Sequence, residues 1–216
     1  MRPISKWEAM VTANPEHSHW YVQRFRDMAA RGEDIYGEAR LIDAMVPRGA
    51  RVLDAGCGPG RVGAYLARQG HTVVGVDVDP VLIGAAREDH PEATWLTGDL
   101  VDLDLPAAGI EEPFDIIVCA GNTITFLAPE TEVQVLRRMA RHLTAGGRAV
   151  IGFGIGRGYG FDHFLDDARA AGFTVDATFS SWDLRPFGNR SEFLVAVLAT
   201  PAAPSPGLPP MEVNLK

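Results

Sequence analysis

The sequence predicts an α/β fold in which a mostly parallel sheet carries helices on both faces. Three observations lead there. Short apolar segments rich in β-branched residues alternate with longer amphipathic ones. One of them, Val52-Leu53-Asp54, runs directly into a glycine-rich turn and then a helical stretch. The last two apolar segments follow one another with no helix between them, so they pair antiparallel.

Taken in order, residues 17–31 set Trp20, Phe25 and Met28 among charges and read as a helix, and a second runs from Tyr36 to Val46, where Pro47 ends it. After the Val52–Asp54 strand, a helix spans about Gly60–Gln69 and closes at Gly70. Thr72–Asp77 is a second buried strand. Asp79-Pro80 opens another helix, with Asp as the cap and Pro at the first position. Strands follow at Ala93–Thr97 and Phe114–Cys119. A helix over Pro129–His142 places acidic residues at its positive end and Arg137, Arg138 and Arg141 at its negative end. Gly146-Gly147 ends it, and Arg148–Phe153 is the fifth strand. Alternate glycines from Gly152 to Gly160 lead into a helix ending at Ala171-Gly172, and the last strands are Phe173–Phe179 and Phe193–Ala199. The chain thus divides into N-terminal helices (1–47) that form a lid and cap, a core domain (48–200), and a proline-rich tail (201–216) that reads as an extended linker.

Composition narrows the function. The chain has 216 residues, 46% hydrophobic and 22% charged, which suits a single globular core. No apolar run approaches the roughly 18 residues needed to span a bilayer, and the N-terminus lacks the apolar core of a signal peptide. Two cysteines cannot build a disulfide framework, which points to a reducing cytoplasm. A formal net charge of −8 repels phosphate backbones, so nucleic acid is not an expected partner. No metal-ligand pattern stands out beyond the short His17-Ser18-His19 run, and no metal is expected.

The segment Asp54-Ala55-Gly56-Cys57-Gly58-Pro59-Gly60-Arg61 carries the chemistry. A strand, glycine turn and helix let the backbone approach a ligand closely and leave helix-end amides for an anion. Asp77, 21 residues after Gly56, ends the next strand, where a carboxylate can accept from a ribose diol. Dinucleotide binders put their third small residue three positions after the second glycine; that position here is Arg61.

With this block followed by Val73-Val74-Gly75-Val76-Asp77, the chain resembles the class I S-adenosylmethionine-dependent methyltransferases, and the resemblance runs from about Arg51 to Leu198. Gly98-Asp99-Leu100, Phe114–Val118 and Leu143–Gly147 match further motifs. The resemblance implies a Rossmann-like, seven-stranded sheet with its last strand antiparallel, and S-adenosylmethionine as cofactor. It implies that Gly56, Cys57, Gly58 and Gly60 surround the methionine part, Cys57 as a small filler, with Asp54 facing the ammonium directly or through water. Asp77 would hold the ribose, Val78 and Leu82 border the adenine, Asp99 accept from its amino group, and the Leu100 amide lie nearby. Ala120, Gly121 and Asn122 would stand beside the sulfonium and face the substrate. Tyr21 and Arg24 lie on the segment where the family often places a lid over the cofactor.

The catalytic group stays open: Asn122, His17, His19, Tyr21 and His163 are the candidates. Cys119-Ala120-Gly121-Asn122 does not match the Asn/Asp-Pro-Pro-aromatic motif of enzymes that methylate nucleobase amines or Gln amides. The expectation is methyl transfer to a small molecule by a monomer or homodimer. A non-catalytic cofactor-binding regulator and an NAD-dependent oxidoreductase are the rival readings.

Overall fold

A computed structural model describes residues 2–201; most of the proline-rich tail lies outside them. Among these residues, seven strands form one sheet: β1 (Arg51–Ala55), β2 (Thr72–Asp77), β3 (Thr94–Thr97), β4 (Phe114–Cys119), β5 (Leu143–Gly154), β6 (Thr174–Phe179) and β7 (Phe193–Ala199). Their order is β3-β2-β1-β4-β5-β7-β6, and β7 alone runs against the rest. This is the Rossmann-like arrangement the sequence implied, with its reversed last strand. The chain steps outward from β1 to β3 and returns to β4 beside β1. The β1/β4 boundary is therefore a switch point, and ligands bind at the carboxyl ends of strands there.

Among the described residues, seven α-helices flank the sheet: α1 (Lys6–Ala13), α2 (Glu16–Ala30), α3 (Gly37–Met45), α4 (Arg61–Arg68), α5 (Pro80–Asp89), α6 (Glu132–Arg141) and α7 (Phe161–Ala170). The sequence reading lacks α1, which has little amphipathic pattern. It is nucleated by a capping box, with Ser5 and Glu8 bonding each other's backbone amides. Two boundaries also move. Helix α6 starts at Glu132 rather than Pro129, because Glu130 sits at φ 67° and turns the chain first. Strand β5 starts at Leu143, which pairs with Phe114, and the chain kinks at Gly146 (φ 76°) without leaving the sheet.

The interior divides across the sheet. On one face Phe114, Phe153, Phe164, Leu136 and Met139 pack α6 and α7 against β4 and β5. On the other Ile42, Leu66, Ile116 and Val150 pack α3 and α4. At the β2/β3 edge the buried Trp95 indole fills space that three glycines leave open. A Cβ on Gly75 would stand 2.3 Å from the ring, and one on Gly60 or Gly63 would stand 2.9 Å from it.

Helices α1 and α2 are docked over the strand ends rather than set apart from the core. Asp79, 4% exposed, is the anchor. Its Oδ1 accepts from the Val81 amide and caps α5, while its Oδ2 accepts from the Trp7 indole N–H at 2.8 Å and from the Ser18 hydroxyl. Arg26 adds a paired contact to Asp89. Replacing Asp79 with Ala leaves these donors unsatisfied, which costs about 1.5–3 kcal/mol for each bond to a charged group. Denaturant unfolding should show a loss of at least about 4 kcal/mol, and hydrogen exchange should speed most in α1 and α2.

Candidate active site

The glycine turn after β1 is built by steric necessity. Gly56, Gly58 and Gly60 have φ of 76°, 54° and 85°. A Cβ at Gly56 would collide with Thr123, at 2.0 Å from its Cγ2. Gly56 and Cys57 amides both donate to the Val76 carbonyl, which locks the turn to β2. Gly58 donates to Asp77 Oδ2 at 2.9 Å, and Asp77 Oδ1 accepts from the Asp79 amide at 2.9 Å. Each Asp77 oxygen thus has one backbone donor and retains acceptor capacity toward the cavity.

That cavity has a volume of about 660 Å³ and runs from Asp99 and Leu100, past Asp77 and the glycine turn, to Gly121, Asn122 and Trp182. It is of the size that holds a cofactor together with a small ligand, within the roughly 300–1,000 Å³ typical of such sites. The roof comes from α1, α2 and the α3 start, through Trp7, His17, Trp20, Tyr21, Phe25 and Glu38. Tyr21 lies between the two glycine loops: a Cβ on Gly58 would reach its ring at 3.6 Å, and one on Gly121 its hydroxyl at 3.9 Å. Bare backbone on one side and an aromatic ring on the other make a slot suited to an extended ligand. A recess of about 40 Å³ continues beneath the turn, lined by Asp54, Cys57 and Ala120, with room for a water between Asp54 and a ligand.

Two carboxyls in this region are perturbed. Burial pushes Asp54 up to about 7, opposed by the Gly63 amide that donates to its Oδ2 at 2.8 Å. Burial likewise raises Asp77 to about 6, opposed by the Asp79 and Gly58 amides. Burial also raises the Tyr21 phenol, which stays protonated. Both carboxyls therefore take up a charge reluctantly until a cation or a pair of donors arrives.

Most of the expected site converges on this cavity. Asp54, Gly56, Cys57, Gly58, Asp77, Val78, Leu82, Asp99, Leu100, Ala120, Gly121, Asn122, Tyr21 and Arg24 all line it or its recess, as does His17. Four positions differ from expectation. Gly60 turns toward Trp95 and Ala86 and makes room for the core rather than for a ligand. His19 is exposed on α2 outside the lining. His163 sits on α7, 73% exposed, 3.6 Å from Asp167 and away from the cavity. Asp99 faces the cavity, but Arg2 holds its Oδ2 at 2.6 Å, and its Oδ1 accepts from the Val101 amide.

Several site residues carried no motif. Trp7 and Phe126 become neighbours of the pocket only through folding, with ring centroids 5.8 Å apart. Arg61, read as a departure from the dinucleotide fingerprint, forms a bidentate pair with Glu38 at 2.7 and 2.8 Å. Its guanidinium lies over Phe25 and ties α4 to the roof. Thr123 supplies the wall that makes Gly56 obligatory.

Fold, glycine turn and acidic strand end together define a nucleoside-cofactor site of the methyltransferase kind. A family model described as a methyltransferase domain matches residues 52–147. The chain is 55% identical to a TehB-like SAM-dependent methyltransferase from Corynebacterium glutamicum. That structure aligns with a TM-score of 0.82 over 87% of this chain and 100% of the other. The chain belongs to the S-adenosylmethionine-dependent methyltransferases.

Among curated proteins, it is 32% identical over 152 residues to a dTDP-4-amino-2,3,4,6-tetradeoxy-D-glucose N,N-dimethyltransferase from Saccharopolyspora spinosa, covering 67% of this chain and 57% of that one. It is 33% identical over 132 residues to a magnesium-protoporphyrin O-methyltransferase from Rhodobacter capsulatus, covering 57% and 53%. The chain thus spans about half the length of these curated relatives. No helix among the described residues is long and apolar enough to cross a membrane, and no group of three metal-ligating side chains occurs among them.

The raised carboxyls have a pH consequence. A carboxyl whose folded value lies above its unfolded one, ordinarily near 4, stabilises the fold fully below the unfolded value; that contribution is lost as pH rises through the folded value. For Asp54 and Asp77 the window is about pH 4 to 7. The ligand-free protein should therefore melt at a lower temperature at pH 8 than at pH 5.5. Asp54→Asn should flatten that dependence and raise the melting temperature at pH 8 by several degrees. Thermal melts across the pH range check both.

Proposed function

We propose that the protein transfers a methyl group from S-adenosylmethionine to a small-molecule acceptor and releases S-adenosylhomocysteine. The observation that carries this is the single cavity joining Asp77 and the glycine turn to the open end at Gly121 and Asn122. A cofactor laid along it would have its ribose at Asp77 and its ammonium toward Asp54. Its adenine would lie between Val78, Leu82 and Leu100, with Asp99 shared between Arg2 and the adenine amino group. When bound, the sulfonium supplies an activated methyl, so the chain's residues need only to position and deprotonate. Attack requires the acceptor atom about 3–3.5 Å from the methyl carbon, in line.

Asn122 fits a positioning role. It holds φ 67°, and its Oδ1 accepts from the Gly154 amide at 2.8 Å, which leaves its NH₂ toward the acceptor space. His17 is the imidazole in the lining, set against Trp7 and Trp20 at 5.2 and 5.5 Å. Where the acceptor arrives protonated, His17 takes the proton as general base, worth about 10²–10⁴-fold. The small-molecule assignment is supported by the sugar and porphyrin substrates in the names of the two curated relatives. A cytoplasmic setting, no nucleic-acid partner, no metal, and a monomer or homodimer complete the reading.

Calorimetric titration tests it: S-adenosylhomocysteine should bind well and NAD poorly, and equal or tighter NAD binding overturns it. Asp77→Ala should weaken the cofactor by about 1.5–3 kcal/mol. Because Asp77 also holds Gly58 and Asp79, Asp77→Asn is the milder control. A folded Asp77→Asn variant with unchanged affinity would show that the ribose lies elsewhere.

Residues 1–47 act as lid and cap in this reading. Hydrogen exchange in α1 and α2 should slow when S-adenosylhomocysteine is added, as expected where closure excludes water from the reacting pair. Exchange already slow and unaltered by ligand would make the segment a static roof.

A further inference from the structure

We infer that the methyl acceptor is an acid, with a carboxylate or phosphate on a flat apolar body, and that Arg157 receives its negative charge. The inference rests on the methyl-transfer reading and names the acceptor class for the same site.

The charges around the cavity are unevenly committed. Its carboxylates have partners: Asp34 pairs with Arg40, Glu38 with Arg61 and Asp99 with Arg2, while Asp77 accepts from two amides at the cofactor end. Arg157, which lines the opposite end, has no carboxylate partner among the described residues; its guanidinium lies 5.9 Å from the centroid of Phe126. Lys6 of α1 lies behind this end, outside the cavity lining. Its backbone amide donates to the Phe126 carbonyl and its Nζ to the Thr125 carbonyl at 3.1 Å, again without a carboxylate. That Nζ lies 3.9 Å from where a Cβ of Gly158, the neighbour of Arg157, would stand.

Arg157 therefore stands over Phe126 at this end of the cavity with no carboxylate counter-charge, in a chain of net charge −8. An anion here would form charge-assisted hydrogen bonds with its guanidinium. Apart from the His17 imidazole, the free polar side chains at this end are also donors. Asn122 has its oxygen engaged by Gly154, and the Trp182 indole N–H has no partner among the described residues. A cationic amine would meet the Arg157 guanidinium and no carboxylate free to pair with it. An anion meets the reverse.

The apolar part has its own wall. Trp182 reaches in from the β6–β7 loop and lies against Gly152, where a Cβ would approach its ring to 2.4 Å. With Phe126 and Trp7 it forms aromatic surfaces around the acceptor space, suited to a planar group.

Binding of benzoate, phenyl phosphate and benzamide to the S-adenosylhomocysteine complex, read by tryptophan fluorescence, tests the inference. The wild-type protein should prefer one of the two anions over benzamide by about tenfold or more, and which anion wins assigns the group as carboxylate or phosphate. Arg157→Gln should erase the preference and leave the affinity for S-adenosylhomocysteine unchanged. Benzamide binding as well as both anions, no binding of any probe at millimolar concentration, or a preference that survives the substitution would overturn it. Failure of the wild-type protein to bind S-adenosylhomocysteine would instead overturn the methyl-transfer reading beneath it.

Discussion

The carboxylates of Asp77 and Asp79, two residues apart at the end of β2, organise everything above the sheet. Asp77 gathers the amides of Gly58 and Asp79, which fixes the glycine turn against the strand. Asp79 gathers the first turn of α5 together with Trp7 and Ser18 of the roof. The result is a short relay of hydrogen bonds in which floor, side and roof of the cavity share one strand end. Because Asp79 is nearly inaccessible to water, its bonds are strong and their loss is expensive.

This arrangement explains why the site is electrostatically tense before a ligand arrives. Asp54 and Asp77 are surrounded by backbone and apolar side chains, and each holds its proton more tightly than an exposed carboxyl does. The fold carries that penalty in order to present acceptors where a ribose and an ammonium would fit. Stability and binding are thus traded at the same two side chains, as expected where function requires a locally unfavourable arrangement.

Much of this was legible in the sequence, because it depends on local rules. Strand–glycine–helix succession, the Asp79-Pro80 cap and the paired final strands all follow from neighbours along the chain, and they place β1 to β7 within a few residues. That the residues expected to cradle a cofactor line one cavity follows for the same reason: they sit at strand ends. What escaped was set by tertiary packing. Gly60 looks like its neighbours in the motif but answers to Trp95, 35 positions away. His163 looks like a catalytic candidate until α7 turns it to solvent. Helix α1 has too little periodicity to declare itself and is held by a capping box, the Trp7 indole bond to Asp79 and the contacts of Lys6 with the Thr125 and Phe126 carbonyls. That Arg157, like Arg24, lines the cavity without a carboxylate partner among the described residues shows only once the partners of the other charges are known.

The close seat of Trp182 on Gly152 separates the protein into parts with different freedom to change. The cofactor end is made of strand termini whose backbone is tied into the sheet, so few substitutions there leave the architecture intact. The acceptor end is walled by an indole from a late connecting loop, by Phe126, and by side chains from α1 and the turn after β5. Those segments can be altered in length or composition without shifting a single strand register. One donor-binding frame could in this way be fitted to many recipients, with Gly152 as the fixed floor on which each new wall is laid.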